Sequence, residues 1–96
     1  MATGQGTAII NFGTFPGTNE ASVAVSAALI SATSKAEAYI MGDDTTSDHT
    51  NIDHRLFNSL VGLTCGTPVA ATGFTIYATS INSHVGTFNV RYVWAD

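Results

Sequence analysis

The chain has 96 residues, of which 45% are apolar and only 10% are charged, and its formal net charge is −4. This length supports one domain with one core and leaves no room for a deep substrate cleft beside that core. The only cations are Lys35, Arg55 and Arg91, too few to neutralise a run of phosphates, so we expect no nucleic-acid partner.

The low charge also predicts how the surface behaves. With few ionised groups, the surface has to be built largely from Ser, Thr, Asn, Gly and Ala, and such a surface repels copies of itself only weakly. The chain is therefore expected to associate with itself or with a partner unless its strand edges are covered. The alternative is a monomer with an unremarkable polar surface.

Cysteine content and hydropathy limit the class of protein further. A single cysteine, Cys65, allows no intrachain disulfide, so an apolar core has to hold the fold. The start of the chain lacks a basic segment followed by an apolar run, and eighteen consecutive apolar residues occur nowhere. We expect no secretion signal and no membrane partner. We also expect the protein to be made in the cytoplasm of a prokaryotic cell.

The first half of the chain alternates between apolar and polar residues. Period-two alternation predicts strands from residue 7 to 12, from 20 to 27 and from 35 to 41. The glycines and proline of residues 13–17 predict a turn after the first strand. Residues 28–34 are ambiguous between helix and loop and are predicted as a loop.

The second half begins with a candidate helix start. Thr50 or Asn51 can cap a short helical turn over residues 52–56, because the side-chain oxygen of either accepts the first free amide protons. The chain is predicted to extend again from Phe57 to Cys65 and to reverse at residues 66–68, which have the Gly and Pro of a hairpin.

The strands that follow complete the predicted fold. A strand is predicted to end at Ala78, and the last strand places Phe88, Val90, Tyr92 and Trp94 on one face. Residues 1–96 are thus predicted to form a single all-β domain, a β-sandwich or small jelly-roll of six to seven short strands. At most one short helical turn is expected, near residues 50–56.

The segment Gly42 to His54, called the acidic segment below, contains four of the seven acidic residues and two of the three histidines. It lacks the central Gly and distal Glu of an EF-hand, and its histidines are five apart rather than the four that zinc-binding helices use. We therefore predict a hydrogen-bonded polar loop rather than a metal site. The weak metal candidates are Asp43, Asp44, Asp48, His49, Asp53 and His54, and a subunit contact through Asp48, His49, Thr50 and Arg55 stays open.

Catalytic arrangements are not expected. Cys65 lies in an apolar run at a strand end and is predicted to be a buried core thiol rather than a nucleophile paired with a histidine. Glu20 and Glu37 lie on solvent faces of strands and do not form the carboxylate pair of a glycosidase. We expect no enzyme activity and no cofactor.

Four stretches cover nearly the whole chain and carry a resemblance: INFGTFPGTNEASVAVS, AEAYIMGDDTTSDHT, GTPVAATGFTIYATS and GTFNVRYVWAD. In this order they resemble a group of small proteins encoded among the virion structural genes of tailed bacteriophages and prophages. The resemblance implies a virion protein, most simply a capsid decoration (cement) or minor capsid protein that contacts the major capsid protein. It adds no catalytic residue.

A homo-oligomer is expected for such a protein, with a trimer at a symmetry position favoured. The alternative is a tail or fibre module that binds a host surface glycan, for which Tyr39 or Tyr77 would lie beside the acidic segment on an exposed face.

Overall fold

The computed structural model describes residues 3–14, 16–47 and 49–96. Within these ranges the structure has six strands and one helix, in the chain order β1 Thr3–Asn11, β2 Thr18–Ser26, β3 Lys35–Ile40, α1 Asn51–Leu60, β4 Val61–Cys65, β5 Gly73–His84 and β6 Thr87–Ala95. The predicted loop over residues 28–34 is confirmed, since this segment consists of turns between β2 and β3.

The strands form two antiparallel three-stranded sheets packed on each other. Sheet A has the order β1-β6-β3, and sheet B has the order β2-β5-β4. The all-β sandwich of six to seven strands is confirmed. The predicted reversal after Cys65 is confirmed too, since β4 and β5 are neighbours in sheet B and pair Cys65 with Ile76.

The inner faces of the two sheets supply the core, and side-chain sizes in sheet A are matched across neighbouring strands. Trp94 on the central strand has Gly4 as its partner on one side and Ala36 on the other. A Cβ on Gly4 would lie 2.5 Å from Cε2 of the Trp94 ring, so the indole fills the space that a side chain would need. Small residues on both edge strands thus leave room for a large aromatic ring in the middle.

The helix α1 is longer than predicted. The expected short turn near residues 50–56 is a ten-residue helix, and the extended chain expected from Phe57 starts only at Val61. The capping at Thr50 starts the helix. His54 and Phe57, three residues apart, then bury one face of the helix against the sandwich, which continues the helix past residue 56.

Candidate functional site

The acidic segment becomes ordered where α1 begins. Thr50 is the N-cap: its hydroxyl accepts a hydrogen bond from the Asp53 amide, and the Asp53 carboxylate accepts one from the Thr50 amide at 3.2 Å. This reciprocal arrangement satisfies two amides that a helix start would otherwise leave free. It also lowers the pKa of the Asp53 carboxyl, chiefly through the hydrogen bond from the Thr50 backbone. The predicted cap at Thr50 is confirmed.

His54 is completely buried, and both of its ring nitrogens have backbone partners. Nδ1 lies 2.8 Å from the Thr50 carbonyl oxygen, and Nε2 accepts a hydrogen bond from the Asn89 amide at 2.9 Å. Because an amide can only donate, Nε2 carries the lone pair and Nδ1 carries the proton. No ring nitrogen is left to bind a metal, so His54 joins the helix to β6.

His49 approaches the same core from the loop side. Its ring stacks on Phe88 with centroids 4.1 Å apart, and Nε2 lies 2.7 Å from the Val85 carbonyl oxygen. Nδ1 faces the Asp53 carboxylate at 3.5 Å. Among the described residues, His49 and Asp53 are thus two metal candidates whose side chains face each other, and this contact supports the helix start.

The other members of the predicted site point elsewhere. Asp43 is exposed, and the Asp44 carboxylate accepts a hydrogen bond from the Thr45 amide at 2.8 Å. Arg55 donates to the Gly42 carbonyl at 2.8 Å, which ties the start of the acidic segment to α1. Asp48, named both as a weak metal candidate and as a subunit contact, lies outside the described residues. In the part of the chain that the structure describes, no three His, Cys, Asp or Glu side chains form a group able to hold a metal ion.

The outer face of α1 is the feature that the sequence prediction missed. Ile52, Leu56 and Leu60 are 66%, 61% and 42% exposed, and their spacing of four residues places them in one row, called the α1 stripe below. The spacing is readable in the sequence. It was missed because residues 57–65 were predicted to be extended, which puts Leu60 in a strand rather than one turn beyond Leu56.

A groove of about 360 Å³ runs beside the α1 stripe. Leu56 and Leu60 line it together with Asp53, His49, Phe57, His84 and Phe88. The His84 ring lies 5.1 Å from that of Phe57 and 5.4 Å from that of Phe12, and its Nε2 lies 3.0 Å from the Ser80 hydroxyl. Burial, reinforced by nearby His49, lowers the pKa of His84, so the groove favours an uncharged imidazole.

The residues considered for catalysis and glycan stacking are dispersed. Cys65 is half-buried at the edge of the core, not buried as predicted, because β4 is an edge strand that only β5 covers. Burial, and then Glu37, raise the pKa of its thiol, which disfavours the thiolate. Tyr39 and Tyr77 are both exposed, but they belong to sheet A and sheet B respectively and lie on opposite outer faces. They do not form one platform.

Comparisons with known proteins found no matching family model, no matching curated protein and no matching solved structure. Within the described residues, no helix is long and apolar enough to cross a bilayer.

Proposed function

We propose that the chain is a non-enzymatic structural protein of a tailed-bacteriophage virion, of the capsid decoration or minor capsid type. It is made in the cytoplasm of the bacterial host and acts through contacts with other subunits, without a cofactor. Its partners are the major capsid protein and further copies of itself, with a trimer at a symmetry position as the proposed oligomer. The sequence resemblance to virion proteins supports the location.

The α1 stripe is the observation that carries this proposal. Three large aliphatic side chains in one row on a helix are unusual on the surface of a small monomer, and such rows mark contact sites for other proteins. The row adjoins the groove lined by Phe57 and Phe88, so a partner side chain can enter between the helix and the sandwich.

The surroundings of the α1 stripe suit a permanent contact better than a reaction. Several polar groups of the acidic segment hold the helix start, as the Thr50–Asp53 cap and the His54 bonds illustrate. Apolar burial is non-directional and adds over many copies in a lattice, so each single contact can be weak. We propose that the α1 stripe faces the major capsid protein.

Leu56→Glu tests this proposal, because it places a carboxylate in the middle of the α1 stripe. We expect the variant to fold but to be depleted from purified particles at least tenfold, since an unpaired charge opposes burial. Leu29→Glu is the matched control, because Leu29 is 74% exposed in the loop after β2, away from α1. Equal incorporation of wild type and Leu56→Glu would refute the role of the α1 stripe.

A further inference from the structure

The free edge of β1 differs from the other three strand edges of the sandwich. Each three-stranded sheet has two edge strands, which here are β1 and β3 in sheet A and β2 and β4 in sheet B. Edge strands in soluble proteins are usually protected by charges, prolines, bulges or short length, because their unpaired backbone groups can pair with another chain.

Three of the four edges have such protection. β2 carries Glu20 and a break in register next to it, β3 carries Lys35 and Glu37, and β4 is only five residues long. β1, with the sequence TGQGTAIIN, has nine residues without charge or proline and pairs with β6 without a break. β1 is thus the long, regular and uncharged edge of this molecule.

We propose that β1 pairs in antiparallel fashion with β1 of a second copy, about a two-fold axis through Thr7. This inference rests on the proposed function, since it names the surface by which copies of the structural subunit join each other. The pairing continues sheet A across the axis and supplies the backbone hydrogen bonds that the edge lacks, as in strand addition. Two three-stranded sheets then form one continuous sheet.

The residues brought together by this register fit each other. On the outer row Thr7 lies opposite the partner's Thr7, and Gln5 lies opposite the partner's Ile9, which is 55% exposed in the single chain. No ionised side chain of β1 is placed opposite another, and the nearest charge on this row is Arg91, the β6 neighbour of Thr7 in each copy.

The inner row pairs small residues with larger ones. Gly4 lies opposite the partner's Ile10, and Gly6 lies opposite the partner's Ala8. The Trp94 and Tyr92 rings occupy the space that side chains at the two glycines would need, so β1 itself has no side chain there that could collide with the partner's Ile10 and Ala8. A second copy is therefore a suitable occupant, because its register sets a glycine opposite each of the larger inner residues.

Sedimentation velocity over a range of concentrations, with Thr7→Glu as the variant, tests the pairing. The wild-type chain is expected to sediment as two chains, or as six where trimers are joined in pairs. Thr7→Glu sets two carboxylates opposite each other on the axis, and we expect its dissociation constant for pairing to rise at least tenfold. Thr64→Glu, at an exposed position of the edge strand β4, is the matched control and should leave the pairing unchanged.

Mixing two variants gives the sharpest outcome. Thr7→Lys alone should also be weakened, whereas Thr7→Lys mixed with Thr7→Glu should pair as well as the wild type, because only an axis through Thr7 brings the two residues together. Circular dichroism checks folding. If Thr7→Glu does not fold, the sedimentation of the Thr7→Lys variant alone tests the pairing.

The outcomes separate this inference from the proposed function. A wild-type oligomer that Thr7→Glu leaves intact, or a mixture that does not recover, overturns the β1 pairing while the structural role stands. Self-pairing is also overturned if the wild-type chain stays monomeric but the Thr7→Glu variant is lost from particles. That result would mean that β1 pairs with a strand of another protein. A monomer absent from particles overturns both.

Discussion

Replacing His54 by alanine removes the side chain that joins α1 to the sandwich. The imidazole is fully buried, bridges the Thr50 carbonyl and the Asn89 amide, and lies edge-on to the Phe88 ring at a centroid distance of 5.3 Å. Alanine leaves a cavity at this position and leaves the Asn89 amide without its acceptor.

The expected loss combines these two effects. Truncating a buried ring of this size costs about 2–3 kcal/mol, somewhat less than the loss for phenylalanine. Leaving the Asn89 amide unpaired costs about 1–2 kcal/mol more. The sum, about 4 kcal/mol, is a large part of the stability of a domain this size and corresponds to a Tm that is roughly 15–30 °C lower.

Urea unfolding followed by the fluorescence of Trp94, the single tryptophan and a buried one, measures this loss. His49→Ala is the control, because the His49 ring is partly exposed and stacks on only one face of Phe88. We expect this variant to lose about 1 kcal/mol of its free energy of unfolding. His54→Gln should recover about 1 kcal/mol, since its amide oxygen can accept from Asn89. A loss for His54→Ala no larger than that for His49→Ala would refute the reasoning.

Three further predictions concern the helix cap, the sheet and the pH. Thr50→Ala should lower the free energy of unfolding by about 1 kcal/mol, as the loss of an N-cap does, and amide exchange in the first turn of α1 should rise; unchanged exchange would contradict the capping role. Gly4→Ala should cost about 1–3 kcal/mol because its methyl group meets the Trp94 ring, whereas Gln5→Ala, on the opposite face, should stay within about 0.5 kcal/mol of wild type. Burial lowers the pKa of His84 in the folded state below its usual 6.5, so the unfolded chain binds a proton first as the pH falls. The Tm should therefore fall as the pH is lowered through 6.5. If the Tm of a His84→Gln variant fell equally with pH, His84 would not be the cause.

Much of the sandwich follows from local patterns in the sequence. The alternation at Phe88, Val90, Tyr92 and Trp94 identifies β6, and Gly and Pro residues identify the reversal between β4 and β5. Period-two alternation works here because each strand buries only one face.

The helix shows where local reading fails. Thr50 and Asp53 identify the start of the helix. Its length depends on the stacking of Phe57 on Phe88, whose ring centroids are 3.8 Å apart although the two residues are far apart in the chain. The burial of His54 is equally non-local, since its acceptor role depends on Asn89 in β6. A histidine in an acidic segment looks like a metal ligand until its two backbone partners are known.

The two proposed contacts use separate surfaces. The α1 stripe lies on the helix, whose main contacts are with β3, β4 and β5, whereas the other proposed contact is the free edge of β1 in sheet A. Leu56→Glu and Thr7→Glu should therefore act separately, the first on incorporation into particles and the second on pairing between copies.

Quantitative mass spectrometry of phage particles purified from a host that carries the encoding gene tests the proposed virion role most directly. The proposed capsid role predicts that the chain is present in a fixed, lattice-related ratio to the major capsid protein. A few copies per particle would place the chain in the tail instead, and its complete absence from purified particles would contradict the account.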